Sequence, residues 1–260
     1  MDVDEILEVL GATADAVAAA LADHDEWRLA DDRAHPGQYT HDQIADVAAL
    51  QVLTAAGLTV LSEESGHHDG RHAVTVVMDP VDGSTNAARG LPWWATSLCA
   101  VDELGAWVAL VVDQAGGSRW SAVRGQGARR DGVPFTRPAT PALADSIIGF
   151  DALPPTHFGW WQFRALGALA LDLCAVADGR LDGYVPCVPA GVPEWDYLAA
   201  SLICREAGAS IEDVHGRDLV ALDHGARRIP VAAGDDGLLA ILLEERRRMH
   251  RPSSEDRHVP

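Results

Sequence analysis

No stretch of the chain has the apolar length of a membrane span, and there is no internal repeat or low-complexity tract. Cysteine is sparse. Cys99, Cys174, Cys187 and Cys204 form no C-x-x-C pair and sit among apolar or small residues, which argues for buried free thiols over a disulfide framework or a zinc site. Positive charge is scarce too: 20 basic residues face 39 acidic ones, a formal net charge of −19. That deficit argues against a nucleic-acid polymer or an anionic membrane surface as partner, because both need a basic footprint. No cationic segment precedes an apolar run after Met1-Asp2-Val3-Asp4-Glu5, so no secretory signal is expected and a reducing cytoplasm is the expected compartment.

What remains is a globular chain of 260 residues with 48% hydrophobic content. One domain is expected over residues 1–250, in two lobes of about 1–140 and 141–250, with a frayed tail at 251–260. Helical spacing of Ile6, Leu7, Leu10, Ala14, Val17, Ala18 and Leu21 predicts a first helix over Val3 to Ala22. A loop is expected from Asp31 to Thr40, then a helix from Asp42 to Ala56 stopped by Gly57, with Asp42 in its first turn. Strands are expected near 58–61, 73–78, 94–101, 107–112, 119–123, 128–129, 146–150, 181–185, 209–212 and 229–232. Helices are expected over 166–177, about 194–207 and 235–248. His67 and His68 read as solvated loop residues, and Gly125-Gln126-Gly127 as turn glycines, since no helical pattern follows them.

The chemistry concentrates at Val76-Val77-Met78-Asp79-Pro80-Val81-Asp82-Gly83-Ser84-Thr85-Asn86. An apolar strand runs into two carboxylates, a glycine, two hydroxyls and an amide. Oxygen-only donors suit a hard cation such as Mg²⁺, and the amides opening a short helix suit a phosphate. Taken alone, the same stretch also fits a plain Asx turn. Two further acidic ends flank it in sequence: Glu63-Glu64 after a strand, and Glu194-Trp195-Asp196 at a helix start. Three such ends, each beside an apolar segment, point to convergence.

Asp79 to Asn86 resembles the D-P-[IV]-D-G-[ST]-x-N signature of the inositol monophosphatase family, Mg²⁺-dependent and lithium-sensitive phosphatases related to fructose-1,6-bisphosphatase. Glu194 to Ala200 resembles the family's W-D-x-A-A-G motif. Ser62-Glu63-Glu64 resembles its G-E-E, with serine in place of glycine. Thr40-His41-Asp42-Gln43 and Arg164 to Ala170 are similar to its T-x-x-D-Q and R-x-x-G-x-x-A segments.

The resemblance implies an alternating α/β/α/β/α sandwich and a phosphomonoesterase. It implies a first Mg²⁺ held by Glu63, Asp79 and the Val81 carbonyl, and a second held by Asp79, Asp82 and Asp196. A weaker third ion would involve Glu63. Mn²⁺ is an expected substitute, and Li⁺ or Ca²⁺ an expected inhibitor. Ser84 paired with Asp42 would orient the attacking water, with Glu63 beside them as a catalytic group. Gly83, Ser84, Thr85, Gly167, Ala168 and Asp196 would contact the phosphate or substrate. A homodimer is expected.

A small phosphorylated metabolite is the expected partner. An inositol-1-phosphate-like polyol or sugar phosphate comes first. Histidinol phosphate, a 3′(2′),5′-bisphosphate nucleotide and fructose-1,6-bisphosphate follow, with a non-catalytic ligand-binding relative as the alternative of another class. The acid that inositol-selective members place shortly before W-D is missing from Val185 to Pro193, where a small insertion stands. Trp160 and Trp161 are expected in the core or at an interface, and Trp93-Trp94 could share that interface.

Overall fold

The computed structural model describes residues 1–22 and 39–249. Most of the loop expected over 31–40, and the tail, lie outside the described residues. Helix α1 (Val3–Ala22) packs on α2 (Thr40–Ala55). A mixed sheet follows, built from β1 (Thr59–Ser62), β2 (Gly66–His68), β3 (Thr75–Asp82), β4 (Ala95–Asp102), β5 (Gly105–Asp113), β6 (Arg119–Val123), β7 (Gly127–Arg130) and β8 (Val133–Phe135). The short helix α3 (Ser84–Arg89) leaves the end of β3. The strand order is β2-β1-β3-β4-β5-β6-β7-β8. A second sheet has the order β10-β9-β11-β13-β12, from β9 (Ile147–Phe150), β10 (Gln162–Arg164), β11 (Gly183–Val185), β12 (Ser210–Asp213) and β13 (Pro230–Ala233). Helices α4 (Leu169–Ala177), α5 (Glu194–Ala207) and α6 (Asp236–Arg248) complete the described chain.

Strand alternation explains the layering. Val76, Met78, Leu98, Ala100, Val108 and Leu110 point to one face of the first sheet and meet Ile6, Leu10 and Val17 of α1 and Ala45, Ala49 and Leu53 of α2. Their neighbours Val77, Cys99, Val101, Ala109 and Val111 point the other way, onto α4 and α5. Those two helices are buried nearly all round because the second sheet covers their far side, through Tyr184, Ile211 and Ala232. Ile148, Phe150, Val185 and Val231 face away from them onto Leu238, Leu239 and Leu242 of α6. The result is the expected α/β/α/β/α sandwich. All four cysteines are buried and free.

Three local expectations need correction. His67 and His68 are not loop residues: they form β2, antiparallel to β1. The edge strands β8 and β10 were not expected. Each has three residues and little buried apolar surface, so no alternation marks it. The helix expected from Leu166 begins only at Leu169, because Gly167 holds φ +87° and Arg164 belongs to β10. Trp160, 8% exposed, packs on Phe150 in the core, as expected, and its neighbour Trp161 is 61% exposed.

Candidate metal and phosphate site

Strands β1 and β3 run parallel, so their C-terminal ends arrive side by side. Glu63, just past β1, donates its backbone N–H to the Met78 carbonyl at 3.1 Å, which sets it beside Asp79. Helix α5 lies against β3, β4 and β5 and brings Asp196, in its first turn, to the same point. One carboxylate oxygen each from Glu63, Asp79 and Asp196 lies within 4.8 Å of the others. Asp79 is buried and the other two are partly buried.

The backbone after Asp79 is tied down on each side. Asp79 Oδ1 accepts the Val81 N–H at 2.9 Å, Thr96 Oγ1 donates to the Pro80 carbonyl at 2.8 Å, and Ser84 Oγ donates to the Val81 carbonyl at 2.8 Å. Pairing of β3 with β4 shifts register between Asp79 and Asp82, so the turn bulges out of the ladder and its side chains are free to aim elsewhere. Gly83 then takes φ +89°. A Cβ there would stand 2.9 Å from the Ala168 Cβ, so only glycine lets the turn approach the α4 start.

Asp82 turns toward the other sheet. Its Oδ1 and Oδ2 accept the N–H groups of Leu169 and Ala170, at 3.2 and 2.7 Å, and so close the N-terminus of α4. It stands outside the three-carboxylate group but remains close enough to raise the carboxyl of Asp79. Asp42 accepts the Tyr39 N–H on Oδ2 at 3.0 Å and has Ser84 as a hydrogen-bonding neighbour. Thr85, expected at the phosphate, places its hydroxyl 3.1 Å from that of Tyr39. Ser62, at the position of the family's glycine, hydrogen-bonds Asp46 of α2 and accepts the Glu64 N–H at 3.2 Å, so its hydroxyl fixes the acidic turn to the helix.

Burial raises every one of these acids. Asp42 is pushed up to about 6, with the Tyr39 and Ser84 hydrogen bonds working against the shift. Burial, followed by the charge of Glu64, lifts Glu63 to about 7. Burial lifts Asp82 to about 7 despite the two amides of α4. Asp79 and Asp196 rise well above the ordinary range through burial and then repulsion from Glu63 and Asp82, with Arg227 pulling Asp196 the other way. Mutual repulsion among buried carboxylates is what a divalent cation relieves, and an all-oxygen donor set matches Mg²⁺ or Mn²⁺. The residues present therefore fit such an ion.

A cavity of about 210 Å³ opens beside Asp82 and Asp196. Gly167 and Ala168 line it as expected, but so do Asp151, Asp172, Tyr184 and Val192, which sequence reasoning missed. Asp151 had a findable signal: it follows an apolar strand, as Glu63 does. Asp172 had none, because it lies within an apolar helix. There its Oδ1 accepts the Trp93 indole N–H at 2.9 Å. On the far side of Glu63, His224 Nε2 hydrogen-bonds the Glu63 carbonyl at 3.1 Å, and its ring lies 4.7 Å from that of Trp195.

Residues 40–250 match the model of the inositol monophosphatase family. The chain is 33% identical over 192 residues to the Nus factor SuhB of Pasteurella multocida, covering 67% of this chain and 71% of that one. It is 32% identical over 209 residues to the fructose-1,6-bisphosphatase of Pyrococcus furiosus, covering 78% and 80%. Among solved structures, an extragenic suppressor from Pyrococcus furiosus superposes with a TM-score of 0.80 at 27% identity, over 92% of this chain and 99% of that one. Fold, signature and site geometry agree with these matches: the chain belongs to the inositol monophosphatase family.

Proposed function

We propose that the chain is a divalent-cation-dependent phosphomonoesterase acting on a small phosphorylated metabolite. The observation that carries this reading is the convergence of Glu63, Asp79 and Asp196 at one point, next to the Asp42 and Ser84 pair. Glu63, Asp79 and the Val81 carbonyl would hold a first cation, and Asp79, Asp82 and Asp196 a second, as the family motif implies. When bound, the cation supplies Lewis-acid polarisation and charge neutralisation at the phosphoryl group.

The chain's own residues do the rest. Asp42, at about 6, is ionised at neutral pH and ready to take a proton. The Ser84 hydroxyl, which donates to the Val81 carbonyl and neighbours Asp42, can turn its one proton to Asp42 while its oxygen lone pairs accept from an attacking water. Ser84 then passes its own proton on as it takes the water's. The proton then passes toward Asp42, and the alkoxide leaves on the opposite side of phosphorus. The turn at Gly83 and Ser84 presents backbone N–H groups to the phosphate.

A polyol or sugar monophosphate is the first-ranked substrate, and histidinol phosphate, a nucleotide bisphosphate and fructose-1,6-bisphosphate are its rivals. A cytoplasmic homodimer inhibited by Li⁺ belongs to the same reading. The name of the Pasteurella multocida relative, a Nus factor, favours a second reading in which the chain binds a macromolecular partner. Release of phosphate from para-nitrophenyl phosphate, with and without Mg²⁺, decides between them. Metal-dependent turnover that Li⁺ suppresses supports the enzyme. Absence of turnover on this ester and on a panel of phosphorylated metabolites sinks it.

A further inference from the structure

The cavity beside the carboxylate centre has a chemical bias of its own. Four carboxylates line it: Asp82 and Asp196 from the proposed cation side, and Asp151 and Asp172 beyond them. No lysine, arginine or histidine is among its described lining residues. Two arginines stand outside this lining, near enough for Arg180 to act on the charge of Asp172 and Arg246 on that of Asp151. The Arg180 guanidinium donates to Asp178 and lies 5.6 Å over the Trp93 ring, and Arg246, 2% exposed, donates to the Val188 carbonyl at 3.2 Å.

Asp151 is held in place by the insertion loop. Its Oδ1 accepts the Cys187 N–H at 2.5 Å, and the Val188 N–H approaches both of its oxygens at 3.3 and 3.4 Å. An ionised carboxylate offers about four acceptor sites, so capacity remains toward the cavity.

Tyr184 supplies an independent observation. It is 2% exposed, it lines the cavity, and its hydroxyl has no hydrogen-bond partner among the described residues. It shares that lining with Asp172, Asp151, Asp82 and Asp196, and burial, followed by their charges, pushes the hydroxyl well above its ordinary range. The side chain is thus packed while its unpartnered hydroxyl is left accessible, with a donor and an acceptor to offer a ligand.

We propose that Asp151 and Tyr184 form the specificity end of the substrate cavity, receiving a hydrogen-bond-donating hydroxyl or ammonium on the alcohol part of a monophosphate and excluding a second anionic group. The proposal rests on the phosphomonoesterase reading and narrows it to monophosphates. A second phosphate at this end would meet Asp151 and Asp172, and no lysine, arginine or histidine among the described lining residues stands there to pair with it. Specificity would then come from a repulsive element as much as an attractive one. Both residues act on the alcohol part and neither on the phosphoryl group. They set which ester binds, and the carboxylate centre sets what happens to it.

The test is a matched pair, fructose 1-phosphate and fructose 1,6-bisphosphate, which differ only in the second phosphate. kcat/KM is measured on both for the wild type, Asp151→Asn and Tyr184→Phe. The amide of Asp151→Asn keeps an oxygen for the Cys187 N–H, and the ratio of the two values within one protein cancels any loss of folded enzyme. The wild type is expected to favour the monophosphate by about tenfold or more, and Asp151→Asn to narrow that ratio by about fivefold through a lower KM for the bisphosphate. Tyr184→Phe should raise KM for fructose 1-phosphate more than for the bisphosphate. Equal use of both esters by the wild type, or an Asp151→Asn effect of the same factor on each, overturns the proposal. If para-nitrophenyl phosphate is hydrolysed while the ratio is one, the specificity inference alone fails. If no ester is hydrolysed, the phosphatase reading fails and takes the inference with it.

Discussion

Asn86 Nδ2 donates to the Leu166 carbonyl oxygen at 2.7 Å, although 80 residues of chain separate them. The same nitrogen also donates to the Trp93 carbonyl at 2.8 Å. The last residue of the signature is thus a clamp that holds the 166–168 turn against the turn at Gly83. Asn86→Ala leaves two carbonyls without their donor and is expected to cost about 2 kcal/mol, at roughly 1 to 3 per stranded group. Urea unfolding checks it; a loss under about 0.5 kcal/mol, the usual size for an innocuous substitution, would show that the clamp is dispensable.

Gly83→Ala tests the turn itself. Alanine at φ +89° is strained, and its Cβ would press on that of Ala168 at 2.9 Å. The expected penalty is about 1 to 3 kcal/mol in thermal unfolding, together with loss of phosphatase turnover as the turn withdraws. A variant that melts with the wild type and retains its turnover would contradict the close approach.

Asp79→Asn removes the most buried member of the carboxylate group. Turnover should fall by at least about a thousandfold, the scale of losing a principal electrostatic group. The wild type should gain thermal stability when Mg²⁺ is added, and the variant should gain much less. An equal Mg²⁺-induced rise in Tm for both proteins would place the ion elsewhere.

The raised acids fix how the metal-free protein responds to pH. Glu63 moves from 4.5 to about 7 and Asp82 from 3.8 to about 7, so the folded state holds protons that the unfolded state has released. Stability must therefore fall as pH rises from about 4 to about 7. Asp213 works the other way at the acid end. Burial pushes it up, but Arg217 and the N–H groups of Ile229, Arg217 and His215 outweigh burial and hold it well below the ordinary range. Its contribution is present above 3.8 and is lost as pH falls further. The metal-free Tm should peak near pH 4 to 5, and Mg²⁺ should raise Tm more at pH 7.5 than at pH 5. Melting curves in chelator and in Mg²⁺ across this range read both effects; a metal-free Tm that climbs steadily to pH 8 would refute them.

Asp42 predicts the acid limb of the pH–rate profile. It must be ionised to accept a proton, so kcat/KM should rise with pH through about 6. In Asp42→Asn that limb should disappear and the residual rate should be small. A limb that survives at the same pH in the variant would assign it to another group.

The site was legible in sequence wherever a short motif carries both the chemistry and the backbone that aims it. Asp79, Asp82, Gly83 and Ser84 are contiguous, and Glu63 and Asp196 stand at element ends marked by an apolar segment. The layered fold became legible through the same motifs, since alternation and helical periodicity alone specify only mixed α and β. Edge strands such as Val133–Phe135 stayed hidden because a three-residue strand with no buried residue has no buried face to imprint a period. The start of α4 was misjudged because a helix surrounded by protein is apolar on all sides, so its pattern cannot show where it begins. Asp172 and Tyr184 were missed because their roles come from folding, which sets two sheets against one cavity.

Asp82 reaches from the first sheet to the α4 amides, and the seam it spans also separates the proposed cation centre from the proposed specificity end. Glu63 and Asp79 belong to the first sheet, whereas Asp151 and the loop that holds it grow from the rim of the second. The segments 151–161 and 186–193 can therefore be exchanged between relatives as grafts. Such exchanges would redirect the choice of ester while the machinery that cleaves it is inherited intact.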